Sequence, residues 1–305
     1  MNKPGMARMT THSDGNFFED FTLGQMFVHH PQRRLTAGDV SLNIALTGTR
    51  FDLPDEAPLD DALVFNLVFS QSVADISKNA LANLGYASVT FGVPVQIGDC
   101  LSSRSEVIGL RQTSKGDSGI VYVHTTGQNQ RGEVVLDLIR WVLVKKRDLT
   151  APAPVPVIPE LPITVHHHTT QAGDRITHGG GVLITEAAHQ LATRFYQNPA
   201  RLHFDPSASS YGKCLVYGGY IIALARALMV NGLEKALYIR AINSGQHTNP
   251  VFAGDVIYAG SEVLEIPAPG LLRVRLLAAK HEFTDWPATT DPFVVLDLDL
   301  TLHCL

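Results

Sequence analysis

Cysteine is scarce in this chain. Its three copies among 305 residues, Cys100, Cys214 and Cys304, stand far apart with no paired spacing. That excludes a disulfide framework and a cysteine zinc site, and it suits a reducing, cytoplasmic setting. Basic charge is short as well. With 24 Lys and Arg against 29 Asp and Glu, the formal net charge is −5, which offers nucleic acid no electrostatic hold. No apolar run reaches the roughly 18 residues of a membrane span. The opening MNKPGMARMTTHSDG has no apolar core of the kind a secretion signal needs. What the chain has instead is apolar content, 45% against 17% charged, and length enough for two domain-sized cores.

The sequence repeats itself. Gly24, His29 and Thr36 return 149 residues later as Gly173, His178 and Thr185. Pro94-Val-Gln-Ile-Gly-Asp99 returns 156 residues later as Pro250-Val-Phe-Ala-Gly-Asp255, and Ser-Glu-Val follows each, at Ser105 and Ser261. The second copy therefore gains about seven residues between these landmarks, near 196–219. We divide the chain into a first copy (1–150), a Pro-rich linker (151–172) and a second copy (173–305). The linker's alternating Pro and apolar residues favour an extended strap along a surface. The tract His166-His167-His168 has no carboxylate or cysteine at ligand spacing and is read as exposed linker.

Each copy carries one coarse pattern. A strand near 27–35 or 175–184 leads to a short helix at 38–48 or 186–197, then to an apolar helix at 61–82 or 218–232. Four strand-like runs follow, at 85–95, 100–112, 118–129 and 133–147, and again at 238–249, 255–266, 271–282 and 293–304. A helix that is apolar on every face must be covered, and hairpin-linked strands are there to cover it, which is an α+β layer arrangement.

The stretch from Tyr196 to Gly219 holds the candidate chemistry. Asn198 and His203 stand five residues apart between two helical patterns, and Gly218-Gly219 opens the next helix. A histidine can take and return a proton near neutral pH. A helix start offers unpaired N–H groups and partial positive charge, and glycine lets a ligand approach them. Tight helix packing explains the glycines equally well. Asp205 could orient His203 or cap the next turn, and the cap is the favoured reading.

These residues carry a resemblance. The twice-occurring PV-x-x-GD turn and the segment before the Gly-Gly helix are similar to those of the MaoC-like (R)-specific enoyl-CoA hydratase superfamily. NFFEDFTLGQ (16–25), APLDDALVF (57–65), DISKNALANLGYA (75–87), EVIGLRQTSKGDSGIVYVHTTGQNQRGE (106–133), RWVLVKKRD (140–148) and ATRFYQNPARLHF…LVYGGYI resemble its mesaconyl-CoA hydratase branch. The resemblance spans nearly the whole chain from residue 16. It implies a tandem (double) hot-dog fold, each copy a long helix wrapped by a curved antiparallel sheet, and a hydro-lyase acting on a branched C5-dicarboxylic enoyl-CoA.

The wider family has Asp-x-Asn-Pro-x-His, with Asp and His sharing one water. His203 takes the His position, Asn198 takes the Asp position and Ala200 replaces the second amide residue. Asn cannot accept a proton, so His203 is left as both base and acid while Asn198 holds the water by accepting its hydrogen bond. Gly218 and Gly219 would form the oxyanion hole. The substrate's free carboxylate calls for a cation or donors, and Arg194, Arg201, Tyr217 and His247 are the candidates, each also readable as a surface or packing residue. Arg33, Arg34, Lys145 and Lys146 are candidates for the CoA phosphates or a solvated face. In the first copy Thr49 matches Asn198, Pro54 matches His203, and Asp60 and Asp61 match Tyr217 and Gly218. That copy lacks the base, carries carboxylates at its helix start, and is expected to help bind CoA without catalysing.

The partner implied is an acyl-CoA substrate, with no nucleic acid, membrane, metal or organic cofactor called for; a homodimer of such chains is compatible with the resemblance. The rival readings are hydration of itaconyl-CoA or a simple enoyl-CoA, a hot-dog thioesterase and a non-catalytic acyl-CoA binding module. A thioesterase of this fold usually places a carboxylate on the long helix, and 218–232 has none.

Overall fold

The computed structural model describes residues 15–49, 59–161 and 173–304; Pro54 and His166–His168 lie outside them. The first half runs β1 (Met26–Val28), β2 (Arg33–Arg34), α1 (Ala37–Thr47), α2 (Asp61–Gln71), β3 (Ala80–Phe91), β4 (Cys100–Gln112), β5 (Ser118–Gln128) and β6 (Val134–Lys145). The second runs β7 (Arg175–Leu183), α3 (Glu186–Phe195), α4 (Gly218–Leu228), β8 (Ala236–His247), β9 (Val256–Ala268), β10 (Leu271–Ala279) and β11 (Val294–Cys304).

Thr36 and Thr185 cap α1 and α3 by accepting the N–H groups of Asp39 and Ala188, the side-chain bond a helix start wants. The repeated PV-x-x-GD turn closes on itself in both copies. Asp99 accepts the Gln96 N–H at 3.0 Å, and Asp255 accepts the Phe252 N–H at 2.8 Å. The repeated histidine meets the repeated serine as well: His29 Nε2 lies 2.7 Å from Ser105 Oγ and His178 Nε2 2.8 Å from Ser261 Oγ. The landmarks that reveal the repeat are thus polar contacts, buried in the His–Ser pairs and part-buried in the turns, that hold each half together.

All strands but β2 form one path, β1-β4-β5-β6-β3-β8-β11-β10-β9-β7, antiparallel throughout; β2 pairs with β4 to one side. The order is the same in each half, read outward from the centre, where β3 and β8 join with Tyr86 opposite Gly245 and Val89 opposite Ile242. Every residue of α2, and all of α4 after Gly218, is buried. The two helices touch each other, and each packs on strands of its own half. Asn66 of α2 locks the pair by donating to the Ala62 and Gly219 carbonyls at 2.9 and 3.0 Å.

The structure shortens three elements expected from sequence. The first strand splits into β1 and β2 around Pro31, which has no N–H to give a ladder. The helix expected over 61–82 ends at Gln71, passes into a π-turn over Val73–Ser77, and gives way to a strand from Ala80. Side chains compete with the backbone at that bend: Ser72 donates to the Phe69 carbonyl at 2.6 Å, and Ser72 and Ser77 both accept from Arg140. The helix expected over 218–232 ends at Leu228 and closes by turns from Met229 to Asn231. Within the linker, Val157 exchanges both backbone bonds with Leu110 at 2.9 Å, so the strap lies on the sheet.

Candidate active site

The segment after α3 is folded by its own polar atoms. Asn198 N–H reaches the Thr193 carbonyl, and Asn198 Oδ1 accepts the Ala200 N–H at 3.0 Å, closing an Asx turn into one 3-10 turn, Arg201–His203. The Leu215 N–H bonds the Leu202 carbonyl, which ties this turn to the run leading into α4. His189 Nε2 donates to the His203 carbonyl at 3.1 Å.

His203 is buried, and its Nδ1 lies 2.7 Å from the Leu215 carbonyl. A carbonyl only accepts, so Nδ1 carries the proton and Nε2 keeps its lone pair. Burial pulls the His203 pKa down to about 4, against the raising effect of the Leu215 carbonyl and with a further lowering from His189. The ring is therefore neutral near pH 7 and able to accept a proton at Nε2.

His203 lines a cleft of about 620 Å³ between the halves, together with Asn198, Tyr217, Gly218, Gly219 and His247 from the second and Phe69, Tyr86 and Arg140 from the first. Aromatic rings link the two sides. Tyr217 lies 5.6 Å from His203 and 6.2 Å from Phe69 between ring centres, and Tyr86 lies 5.9 Å from His247. The Tyr217 hydroxyl meets Ser70 Oγ at 3.3 Å, and that of Tyr86 meets His247 Nε2 at 3.2 Å. Burial pulls the His247 pKa down to about 4 and pushes both tyrosines up, so all three stay neutral. Among the described residues no Asp or Glu lines the cleft, and the one charged side chain that does is Arg140.

At the start of α4 the N–H groups of Gly218 and Gly219 have no acceptor among the described residues. The packing account of these glycines holds at the same time. A β-carbon on Gly218 would stand 2.6 Å from the His247 ring, and one on Gly219 would run into Asn66 Oδ1. α2 begins differently: Asp60 Oδ1 accepts the Leu63 N–H at 2.9 Å, and Asp61 accepts the Ile239 N–H while facing Arg226 Nε at 3.7 Å. A lone-pair nitrogen, an amide and an open helix start in one cleft can move a proton and hold a developing oxyanion.

Of the residues expected here from sequence, Asn198, His203, Tyr217, Gly218, Gly219 and His247 line the cleft. Arg194 and Arg201 do not. Both are exposed, and Arg201 pairs with Asp205 one turn on, at 2.9 Å. On a helix or turn whose other face is buried, a charged side chain points to water, and sequence distance from His203 says nothing of direction. Asp205 caps its turn by accepting the Ser207 N–H. Arg33 pairs with Asp39, Arg34 reaches the Gly98 carbonyl, Lys145 lies over Phe17 and Lys146 holds the Ala151 carbonyl; none lines the cleft. Arg140, Tyr86, Asn83 and Ser77 line it and were not picked out beforehand. Arg140 had left a signal: it sits in the buried phase of the alternation Leu136, Leu138, Arg140, Val142, Val144.

The chain is similar to known proteins over nearly its whole length. A family model described as mesaconyl-CoA hydratase matches residues 3–153. The β-methylmalyl-CoA dehydratase of Chloroflexus aurantiacus is 48% identical over 94% of this chain and 96% of its own. The mesaconyl-CoA hydratase of Cereibacter sphaeroides is 42% identical over 93% and 96%. The crystal structure of a MaoC domain protein dehydratase from Chloroflexus aurantiacus superposes with a TM-score of 0.89 at 46% identity, covering 97% of this chain and 99% of that one. A Mycobacterium tuberculosis protein described as a double hot-dog fold gives a TM-score of 0.77 at 23% identity over 96% and 100% of the two chains, a likeness of fold. This chain belongs to the mesaconyl-CoA hydratase family, on a double hot-dog fold.

Proposed function

We propose that the protein is a hydro-lyase that reversibly adds water across the double bond of a branched C5-dicarboxylic enoyl-CoA, mesaconyl-CoA giving β-methylmalyl-CoA. The observation that carries this is His203: neutral, fixed through Nδ1 to Leu215, and sharing one cleft with the open start of α4. The names of the relatives supply the substrate.

His203 Nε2 takes a proton from water as the oxygen bonds the β-carbon. The electron pair of the C=C bond moves through the α-carbon onto the thioester oxygen, where the N–H groups of Gly218 and Gly219 stabilise the enolate. His203 then returns the proton to the α-carbon and is neutral again. One nitrogen serving both steps makes the addition syn. Asn198, with Oδ1 already holding the Ala200 N–H, keeps a second lone pair and its Nδ2 hydrogens for positioning the water.

In this reading the first half is non-catalytic and helps form the CoA cleft, its helix start being closed by Asp60 and Asp61. The substrate is an acyl-CoA and the setting cytoplasmic, in keeping with three free cysteines; no described helix is long and apolar enough to cross a membrane. The absence of any carboxylate lining the cleft among the described residues disfavours thioester hydrolysis through a carboxylate base. The test is loss of enoyl-thioester absorbance with mesaconyl-CoA, itaconyl-CoA and crotonyl-CoA. Mesaconyl-CoA should turn over fastest, and His203→Ala should lower kcat by about 10³-fold. Undiminished activity in that variant overturns the assignment.

A further inference from the structure

Arg140 is out of place by the rules of the core it occupies. Its neighbours on the buried phase of β6, Leu138, Val142 and Val144, are apolar, and β11 in the other half carries Leu296, Leu298, Leu300 and Leu302. The second half fills that phase of β11 with leucines and keeps its charges, Asp297 and Asp299, on the alternate phase, so the fold does not require a charge there. A buried cation costs several kcal/mol unless it is paired and hydrogen-bonded.

Two other buried arginines have carboxylates: Arg226 faces Asp61 at 3.7 Å and Arg273 holds Asp299 at 2.8 Å. Arg140 has none among the described residues. It donates to Ser72 Oγ at 2.8 Å and to Ser77 Oγ at 3.3 Å, and it stacks over Phe69 at 4.2 Å. Its Nε is buried with no partner among the described residues. The same is true of both amide atoms of Asn83. In the β3–β6 register Asn83 stands opposite Val142 and Tyr86 opposite Arg140, and Arg140, Asn83, Ser77 and Tyr86 all line the cleft that holds His203. Unused donors, Arg140 Nε and Asn83 Nδ2, thus gather in a cleft whose described lining holds no carboxylate and no other charge.

We propose that Arg140, with Asn83 and Ser77, binds the free carboxylate of the acyl group and so makes the enzyme specific for dicarboxylic acyl-CoAs. This rests on the hydratase reading above. The carboxylate of mesaconyl-CoA is attached to the β-carbon, so its site has to adjoin the proton-transfer group. Tyr217 links the two: its ring centre lies 5.6 Å from that of His203 and 6.2 Å from that of Phe69, over which the Arg140 guanidinium stacks. Pairing with Arg140 also offsets the repulsion between the carboxylate and the enolate charge forming two carbons away. An acyl chain without the carboxylate leaves the guanidinium buried and unpaired, which penalises it.

The test compares two non-reacting ligands by isothermal titration, 2-methylsuccinyl-CoA and 2-methylbutanoyl-CoA, which differ only in carboxylate against methyl. Wild type should bind the first at least about 100-fold more tightly. In Arg140→Met the preference should fall below about 3-fold, with 2-methylbutanoyl-CoA bound as well as or better than before. Methionine fills a similar volume without charge, and a thermal melt checks that the variant folds without the bonds to Ser72 and Ser77. Should it nonetheless not fold, Arg140→Lys serves: a point charge cannot reproduce the fork, and the preference should drop at least about 10-fold. The idea is overturned if wild type binds the two ligands within 3-fold, if either variant keeps the full preference, or if a folded variant loses both ligands equally. Binding is read without turnover, so a wild type that prefers the dicarboxylic ligand yet fails to hydrate mesaconyl-CoA refutes the hydratase reading, whereas one that hydrates it without that preference refutes the role of Arg140.

Discussion

The most telling perturbation is pH, read at His203. Its pKa is pulled down to about 4 by burial, against about 6.5 in an unfolded chain. At pH 5.5 the ring is then about 97% neutral, where an ordinary histidine would be about 9% neutral. If His203 Nε2 is the base, kcat/KM for mesaconyl-CoA stays nearly flat from pH 8 to 5.5 and falls only toward pH 4. The same shift acts on stability, and its sign is definite. Between pH 6.5 and 4 the unfolded chain takes up a proton at this residue and the native one does not, so lowering the pH costs stability across that window. From pH 7.5 to 5.0 the cost from His203 alone is roughly 2 kcal/mol. Urea unfolding at the two pH values should therefore show wild type losing about 2 kcal/mol more than His203→Gln, which cannot titrate. An acid limb of kcat/KM centred near pH 6.5, or equal pH losses in wild type and variant, would refute a buried neutral His203.

Gly219→Ala drives a β-carbon into Asn66 Oδ1 between two buried helices and should cost about 1–3 kcal/mol; Gly179→Ala, with nothing within 4 Å, should change stability by less than about 0.5 kcal/mol in the same melts. Asp61→Ala removes the carboxylate facing Arg226 at 3.7 Å and the acceptor of the Ile239 N–H. Thermal or urea unfolding should register a loss of about 3 kcal/mol, far more than any exposed pair would give.

Much of the fold was legible because its signals are local. Thr36 and Thr185 cap helices with their own side chains, and each PV-x-x-GD turn is closed by its own Asp, so these elements carry their reasons within a few residues. The bend after Gln71 was not legible, since it depends on Ser72 and Ser77 meeting an arginine more than 60 positions away. The site divides along the same line. His203 and the Gly-Gly start lie in one stretch and were found there. The arginines nearest in sequence, Arg194 and Arg201, face water, while the one in the cleft arrives on a strand of the other half.

The sequence by itself determined the duplication, the α+β alternation, the family and the histidine proposed for proton transfer, because periodicity, caps and short turns are set by neighbouring residues. Only the tertiary structure decided which tautomer His203 adopts, what presses on Gly218 and Gly219, and that Arg140 shares their cleft. Those depend on a carbonyl at Leu215, an amide at Asn66 and the pairing of β3 with β6. The alternation on β6 records that Arg140 is buried, but what it faces arises only when segments far apart in the chain close one space, and no local pattern records that.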